Sequence, residues 1–409
     1  MKRFFILLCI FLILAFNYKN YIVFANTLPP SVASDGAVLM DADTGTILYS
    51  KNMNTAYPPA STTKIMTALL TIENINLNDV ITVSKKTPYV DGSKIGIFEG
   101  EEIKAKDLLY GLLLLSGNDC AEALAEHISG STDTFAKLMN KRAKELGCEN
   151  TNFVNPHGLY DNNHKTSAKD LAIILNEAMK HPEFREIAST FIYKIPPTNK
   201  HPEGIYLANE NKLIQKNSKY YYKEAEAGKT GYTTQSGFSY VASAIKDNHR
   251  LILALVHSNT KSYYEDSVKL FNYGFNNFEV VSLFKKGDIV TTLSQNNLVI
   301  PLAAYEDYYY IKEKGSNIKP EFKLLEPNIK SKTFKKGDII AEASINLNGN
   351  ILPNLKLVST VDYKYTSNLK QSLISNKSKF NIALYGISIL LIISILTFII
   401  KKKRKLDVI

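Results

Sequence analysis

Pro58-Pro59-Ala60-Ser61-Thr62-Thr63-Lys64-Ile65-Met66-Thr67-Ala68-Leu69-Leu70 is the stretch on which the reading of this chain turns. The two prolines end whatever precedes them, since proline fixes φ and donates no backbone hydrogen bond. The apolar spacing that follows is that of a buried helix entered at Ser61. Residues three apart share a helix face, so the Ser61 hydroxyl and the Lys64 amine are expected within hydrogen-bond reach. A serine hydroxyl is a poor nucleophile until a base takes its proton, and a lysine serves as that base once desolvation or a neighbouring cation lowers its pKa. The positive end of the helix dipole at Ser61 would also favour an oxyanion there.

Taken alone, the Ser-x-x-Lys spacing is weak, because it recurs at Ser243, Ser258, Ser282, Ser316 and Ser367. Ser-x-Asn is as loose, at Ser50, Ser116, Ser294 and Ser344, whereas Lys229-Thr230-Gly231 is the one Lys-Thr-Gly in the chain. Order removes the degeneracy. A serine acyl-transfer site built from Ser-x-x-Lys, then Ser-x-Asn, then Lys-Thr-Gly is met only by Ser61 with Lys64, Ser116-Gly117-Asn118, and Lys229-Thr230-Gly231. The contexts agree: Ser61 follows Pro-Pro, Ser116 falls in a break between two helical runs, and Lys229 lies in a strand pattern.

Working outward, Ala37 to Met40 and Thr46 to Tyr49 read as a hairpin, and helical periodicity then dominates to about Ser189. Strand alternation returns at Ala227 to Tyr232, Phe238 to Ile245 and Leu251 to His257, followed by a helical pattern from Ser262 to Phe275. Strands from both ends of a region with helices between them predict an α+β domain, one antiparallel sheet flanked by a helical cluster. The expected catalytic domain covers 26–276, and a small β-rich domain covers 277–368. Within the latter, Phe284-Lys285-Lys286-Gly287-Asp288-Ile289 recurs as Phe334-Lys335-Lys336-Gly337-Asp338-Ile339, which predicts two equivalent turns.

The two ends of the 409-residue chain bear on location. Met1-Lys2-Arg3, an apolar run from Phe4 to Phe16 and Val23-Phe24-Ala25 read as a signal peptide over 1–25. Phe380 to Ile400 is long and apolar enough for one transmembrane helix, after a linker at 369–379. The cations of the tail at 401–409 predict that this tail is cytoplasmic and the rest of the chain outside. Of the formal net charge of +10, Lys2, Arg3 and Lys19 carry three and the tail a net four, so the exported body holds only +3. No Lys/Arg stripe interleaved with aromatics remains in it, which argues against a nucleic-acid partner. Only Cys120 and Cys148 follow the leader, and neither they nor the seven histidines have zinc-site spacing, so no metal and no cofactor are expected.

The constellation resembles the low-molecular-mass penicillin-binding proteins, the serine D-alanyl-D-alanine carboxypeptidases, over roughly residues 30 to 370. Asp43-Thr44-Gly45, Pro156-His157-Gly158-Leu159, Asn209 with Asn211-Lys212-Leu213, and Gly228-Lys229-Thr230-Gly231-Tyr232-Thr233 are similar to that family beyond the three motifs. The resemblance implies that Ser61 attacks the carbonyl of a D-Ala-D-Ala bond, that Lys64 takes its proton, and that Ser116 relays a proton to the leaving amine. It further implies that Asn118 binds the substrate amide, Lys229 and Thr230 the terminal carboxylate, and the backbone amides of Ser61 and Tyr232, beside Gly231, the oxyanion. Peptidoglycan stem peptides would be the substrates and β-lactam antibiotics the inhibitors. Two departures stand out: Glu224-Ala225-Glu226-Ala227-Gly228 lacks the hydrophobic residue that often precedes this lysine, and Glu210 is acidic where a neutral or basic residue is expected. A serine β-lactamase is the alternative, disfavoured because Gly117 replaces the Asp of Ser-Asp-Asn and no loop carboxylate stands out to activate water. A catalytically silent cell-wall binding or sensor protein is the other.

Overall fold

A computed structural model describes residues 28–295, 298–325, 327, 329 and 333–365. The expected signal peptide at 1–25, the linker at 369–379, the membrane segment at 380–400 and the basic tail at 401–409 lie outside the described residues. Among the described residues no helix is long and apolar enough to cross a membrane.

Strands β1 (Gly36–Asp41) and β2 (Ile47–Lys51) form the first hairpin, and helix α1 (Lys64–Asn74) follows. Two short strands, β3 (Val80–Thr82) and β4 (Glu102–Lys104), pair antiparallel on either side of a long loop. Helices α2 (Ala105–Leu114), α3 (Asn118–Ser129), α4 (Thr132–Glu145), α5 (Ala168–Ala178) and α6 (Pro182–Ser189) make up the cluster. A small hairpin of β5 (Ile192–Ile195) and β6 (Ile205–Ala208) leads to the long strands β7 (Ala225–Thr233), β8 (Gly237–Lys246) and β9 (His249–Ser258), and α7 (Tyr263–Asn277) completes the layer. The sheet runs β2-β1-β9-β8-β7, antiparallel throughout, so its first and last parts in sequence meet at β1 and β9.

Period-two alternation in β1 and β9 explains why this sheet is buried on both faces. Val38, Met40, Ile252, Ala254 and Val256 pack toward α1 to α6, and Ala37, Leu39, Leu251, Leu253 and Leu255 pack toward α7 with Phe271 and Phe275. The β8–β9 connection is two residues, Asp247 and Asn248, with φ of 51° and 64°. Asp and Asn tolerate that left-handed backbone better than other side chains do, which is why the turn closes a hairpin here.

One expectation is corrected in detail. The helix does not begin at Ser61; Ala60–Thr63 form a 3-10 turn and the α-helix starts at Lys64. Ala60 has φ of 50°, a conformation that an α-helix cannot continue through, so the tighter turn carries the chain from Pro59 to Lys64.

The described chain divides into two compact units, one of residues up to Ser282 together with Tyr309–Lys319, the other of Leu283–Tyr308 and the residues from Pro320 on. Strand β10 (Phe278–Phe284) pairs with β13 (Tyr308–Glu313), and Ile311 joins the aromatic cluster around α7. The second unit holds β11 (Ile289–Gln295), β12 (Leu298–Ala304), β14 (Glu321–Leu325), β15 (Ile339–Leu347) and β16 (Asn350–Ser359) in the order β11-β12-β16-β15-β14. Its two Lys-Gly-Asp turns are equivalent. Lys285 N donates to Asp288 Oδ2 and Lys335 N to Asp338 Oδ2, each at 2.8 Å, and Gly287 and Gly337 have φ of 90° and 94°.

Candidate active site

Four loops, the 3-10 turn of Ser61 and one strand edge build a cleft of about 300 Å³ lined by Ser61, Ser93, Ser116, Glu210, Thr230, Gly231, Tyr232 and Lys261, among others. A larger cavity of about 660 Å³, lined by Asp247, His249 and Phe275, contains none of the motif residues.

Ser61 sits on the 3-10 turn, and Lys64, fully buried, follows at the start of α1. Lys64 Nζ is 3.0 Å from Ser61 Oγ, 2.6 Å from Asn118 Oδ1 and 2.7 Å from the His157 carbonyl oxygen. Three acceptors therefore surround one nitrogen. When Lys64 is neutral, Asn118 and His157 hold its two hydrogens and leave the lone pair for the Ser61 hydroxyl. Burial first, and then the charge of Lys229, hold the Lys64 amine well below its ordinary pKa. The arrangement thus supplies a base beside a nucleophile.

Asn118 opens α3 two residues after Ser116, whose φ of 62° turns the chain between α2 and α3. Its side chain donates to the Asp91 carbonyl and its backbone N–H to the Ser93 carbonyl, each at 2.6 Å. The next residue, Asp119, is wholly buried and accepts from the amides of Ile95 and Gly96 at 3.0 and 2.8 Å. Together they fasten the loop around Ser93 to the N-terminus of α3. Sequence motifs gave no sign of Ser93, because that loop reaches the cleft only through these tertiary bonds.

The remaining wall is the edge strand β7. Lys229 is 2% exposed and donates from Nζ to the Thr230 carbonyl at 3.0 Å, and burial lowers its pKa to about 8. A Cβ placed on Gly231 would stand 2.8 Å from the Pro59 carbonyl oxygen and 3.0 Å from the Ser61 N, so only glycine lets β7 lie against the nucleophile's turn. Tyr232 is 56% exposed at the rim and stacks on Phe238 with ring centroids 4.5 Å apart. All eight residues singled out from the sequence thus lie in or directly against one cleft.

His157 enters through its main chain. Its ring accepts from Leu159 N at 3.2 Å and faces Glu122 Oε1, also at 3.2 Å, while its carbonyl oxygen holds Lys64. Burial lowers its pKa, so it stays neutral behind the cleft. Cys120, fully buried, has its thiol pushed well above the ordinary pKa by burial and packs against Gly111.

Comparison with known proteins bears on what this cleft does. The D-alanyl-D-alanine carboxypeptidase family matches residues 23–260, and the penicillin-binding protein 5 C-terminal domain matches residues 278–365. The chain is similar to D-alanyl-D-alanine carboxypeptidase DacF of Bacillus subtilis, 34% identical over 341 residues that span 80% of this chain and 85% of that protein. Among solved structures it is similar to penicillin binding protein 5 from Haemophilus influenzae, with a TM-score of 0.70 and 31% identity over 82% of this chain and 99% of that one. A D-alanyl-D-alanine carboxypeptidase from Mycobacterium tuberculosis is similar at a TM-score of 0.57 and 30% identity, covering 61% of this chain and 94% of that one.

Proposed function

The chain belongs to the D-alanyl-D-alanine carboxypeptidase family, and from that premise we propose how its cleft removes the terminal D-Ala of a peptidoglycan pentapeptide stem. The observation that carries the reading is the buried Lys64 amine held 3.0 Å from Ser61 Oγ by two further acceptors. Neutral Lys64 takes the Ser61 proton as Oγ attacks the penultimate D-Ala carbonyl. The oxyanion is held by the amides of Ser61 and Tyr232, a contribution of about 3 to 4 kcal/mol per donor in comparable acyl-transfer sites. Ser116 relays the proton taken up by Lys64 to the leaving amine, D-Ala departs, and water hydrolyses the ester on Ser61, whose hydroxyl and the neutral Lys64 are thereby restored. Asn118 orients Lys64 and binds the substrate amide, and Lys229 with Thr230 holds the terminal carboxylate, which is what restricts the cut to a chain end. A β-lactam presents the same carboxylate and acyl group, so penicillins acylate Ser61.

We also propose that 1–25 directs export, that the segment 380–400 anchors the chain by a single span, and that the cleft faces the cell wall. The basic run from Lys401 to Lys405 and the apolar length of 380–400 support this topology. The deciding experiment is D-Ala release from a pentapeptide stem by the purified protein, with Ser61→Ala as control. Release that persists at the wild-type rate in Ser61→Ala would remove Ser61 from the chemistry.

A further inference from the structure

Glu210 lines the same cleft as Ser61, Ser116 and Thr230, and its placement is built rather than incidental. Its backbone N–H donates to the Leu114 carbonyl at 3.1 Å, two residues before Ser116, and its carbonyl oxygen accepts from Tyr264 at 3.0 Å. The buried neighbours Asn209 and Asn211 fix the loop on either side. Asn209 donates to the Ala188 and Thr190 carbonyls, and Asn211 Oδ1 accepts from Tyr240 at 2.6 Å. Asn211 Nδ2 lies 2.8 Å from where a Cβ on Gly228 would stand, so the loop packs on β7 one residue before Lys229. Glu210 therefore spans from the Ser116 break to the Lys229 strand.

Its side chain is exposed, and among the described residues no ion pair or hydrogen bond engages the carboxylate. Lys229 is in the complementary position, a buried ammonium whose hydrogen bond goes to a neutral carbonyl. Charges face Lys229 from each side of the cleft. Lys64 on α1 repels it, Lys261 between β9 and α7 stands at the rim, Asp119 on α3 is turned away onto the Ile95 and Gly96 amides, and Glu210 is left as the acid that favours its charged form. A contact ion pair would occupy the hydrogens of Lys229 and shut out a substrate carboxylate. A carboxylate in the same cleft that makes no contact pair supports the charge and leaves those hydrogens available.

We propose that Glu210 is a positioning residue, the counter-charge that keeps Lys229 an ammonium so that the subsite for the substrate's terminal carboxylate stays cationic at neutral and mildly alkaline pH. The kinetic side of this rests on the carboxypeptidase reading; the charge of Lys229 does not. Two measurements on the full-length protein therefore test it. In a titration of 13Cε-labelled lysine, assigned with Lys229→Arg, the Lys229 midpoint falls by roughly half to one pH unit in Glu210→Gln and much less in Glu210→Asp. In D-Ala release followed against pH, the alkaline limb of kcat/KM in Glu210→Gln moves the same way, with a roughly two- to fivefold loss at pH 8 carried by KM and little change at pH 6. An unmoved Lys229 midpoint in Glu210→Gln overturns the proposal whatever the turnover. A pH-independent fall in kcat with accumulation of acyl-enzyme also overturns it and makes Glu210 a water-activating group instead. Absence of D-Ala release by the wild type, with the midpoint shifted as stated, sinks the carboxypeptidase reading alone.

Discussion

Lys64 and Lys229 are both lysines and both buried, yet the chemistry asks opposite things of them. Lys64 has to be neutral to accept a proton, and Lys229 has to be charged to hold a carboxylate. kcat/KM is therefore expected to be bell-shaped in pH, rising as Lys64 loses its proton through its lowered pKa and falling as Lys229 loses its own near 8. Lys229→Arg removes the alkaline limb, because a guanidinium stays protonated there, and retains part of the activity despite altered geometry. Lys229→Ala costs about 2 to 5 kcal/mol of transition-state stabilisation, roughly 30- to several-thousand-fold in rate, since a substrate carboxylate is left uncompensated. D-Ala release within threefold of wild type in a folded Lys229→Ala protein would exclude the clamp. At this scale the sequence was legible wherever a side-chain type carries the role, as at Ser61, Lys64 and Lys229. It was silent on the His157 carbonyl, since every residue has a carbonyl and only the loop's path aims this one at Lys64. Glu210 was visible as a departure, but its place in the cleft depends on Asn209 and Asn211 and could not be read from spacing.

Among the elements, glycines mark where backbone has to approach backbone around the nucleophile. A Cβ on Gly158 would lie 1.9 Å from the Ala60 carbonyl oxygen, and its φ is +87°. Gly158→Ala is thus strained twice, and the left-handed backbone alone costs roughly 1–3 kcal/mol. A fall of several degrees in Tm is expected, measurable by thermal unfolding. Gly231 has no such φ, but its added Cβ would meet the Pro59 carbonyl oxygen at 2.8 Å, so Gly231→Ala is expected to push β7 off the Ser61 turn at some cost in Tm. The expected result is at least about tenfold slower acylation by a labelled penicillin, a misplacement of the oxyanion donors rather than a loss of fold. Wild-type acylation in Gly231→Ala would show that the contact is not needed. Long strands and helices announced themselves through period two or 3.6, as in β1, β9 and α5. The pairs β3–β4 and β5–β6 did not, because strands of three or four residues carry too little alternation to stand out, and it is tertiary packing that forms them.

For the whole molecule, the motif residues all precede Ser282, within the first compact unit. A chain ended after about Ser375 is therefore expected to be secreted, soluble and as active as the full protein in D-Ala release, with the proposed membrane segment gone. A folded but inactive truncation would show that residues beyond Ser375 take part in catalysis. The first unit is nevertheless not continuous in sequence, since it includes Tyr309–Lys319, and the chain passes between units after Ser282, after Tyr308 and after Lys319. Ile311 from that returning stretch lies in the same apolar cluster as Leu39, Leu255 and Phe271. A polypeptide that emerges N-terminus first cannot close this cluster until Ile311 is out, and by then Leu283–Tyr308 has emerged as well. One apolar layer of the first unit is thus finished late and together with part of its neighbour, so that a ribosome stalled, or an export channel blocked, between Ser282 and Tyr309 would leave a nascent enzyme whose motifs are complete and whose α7-side layer still lacks Ile311.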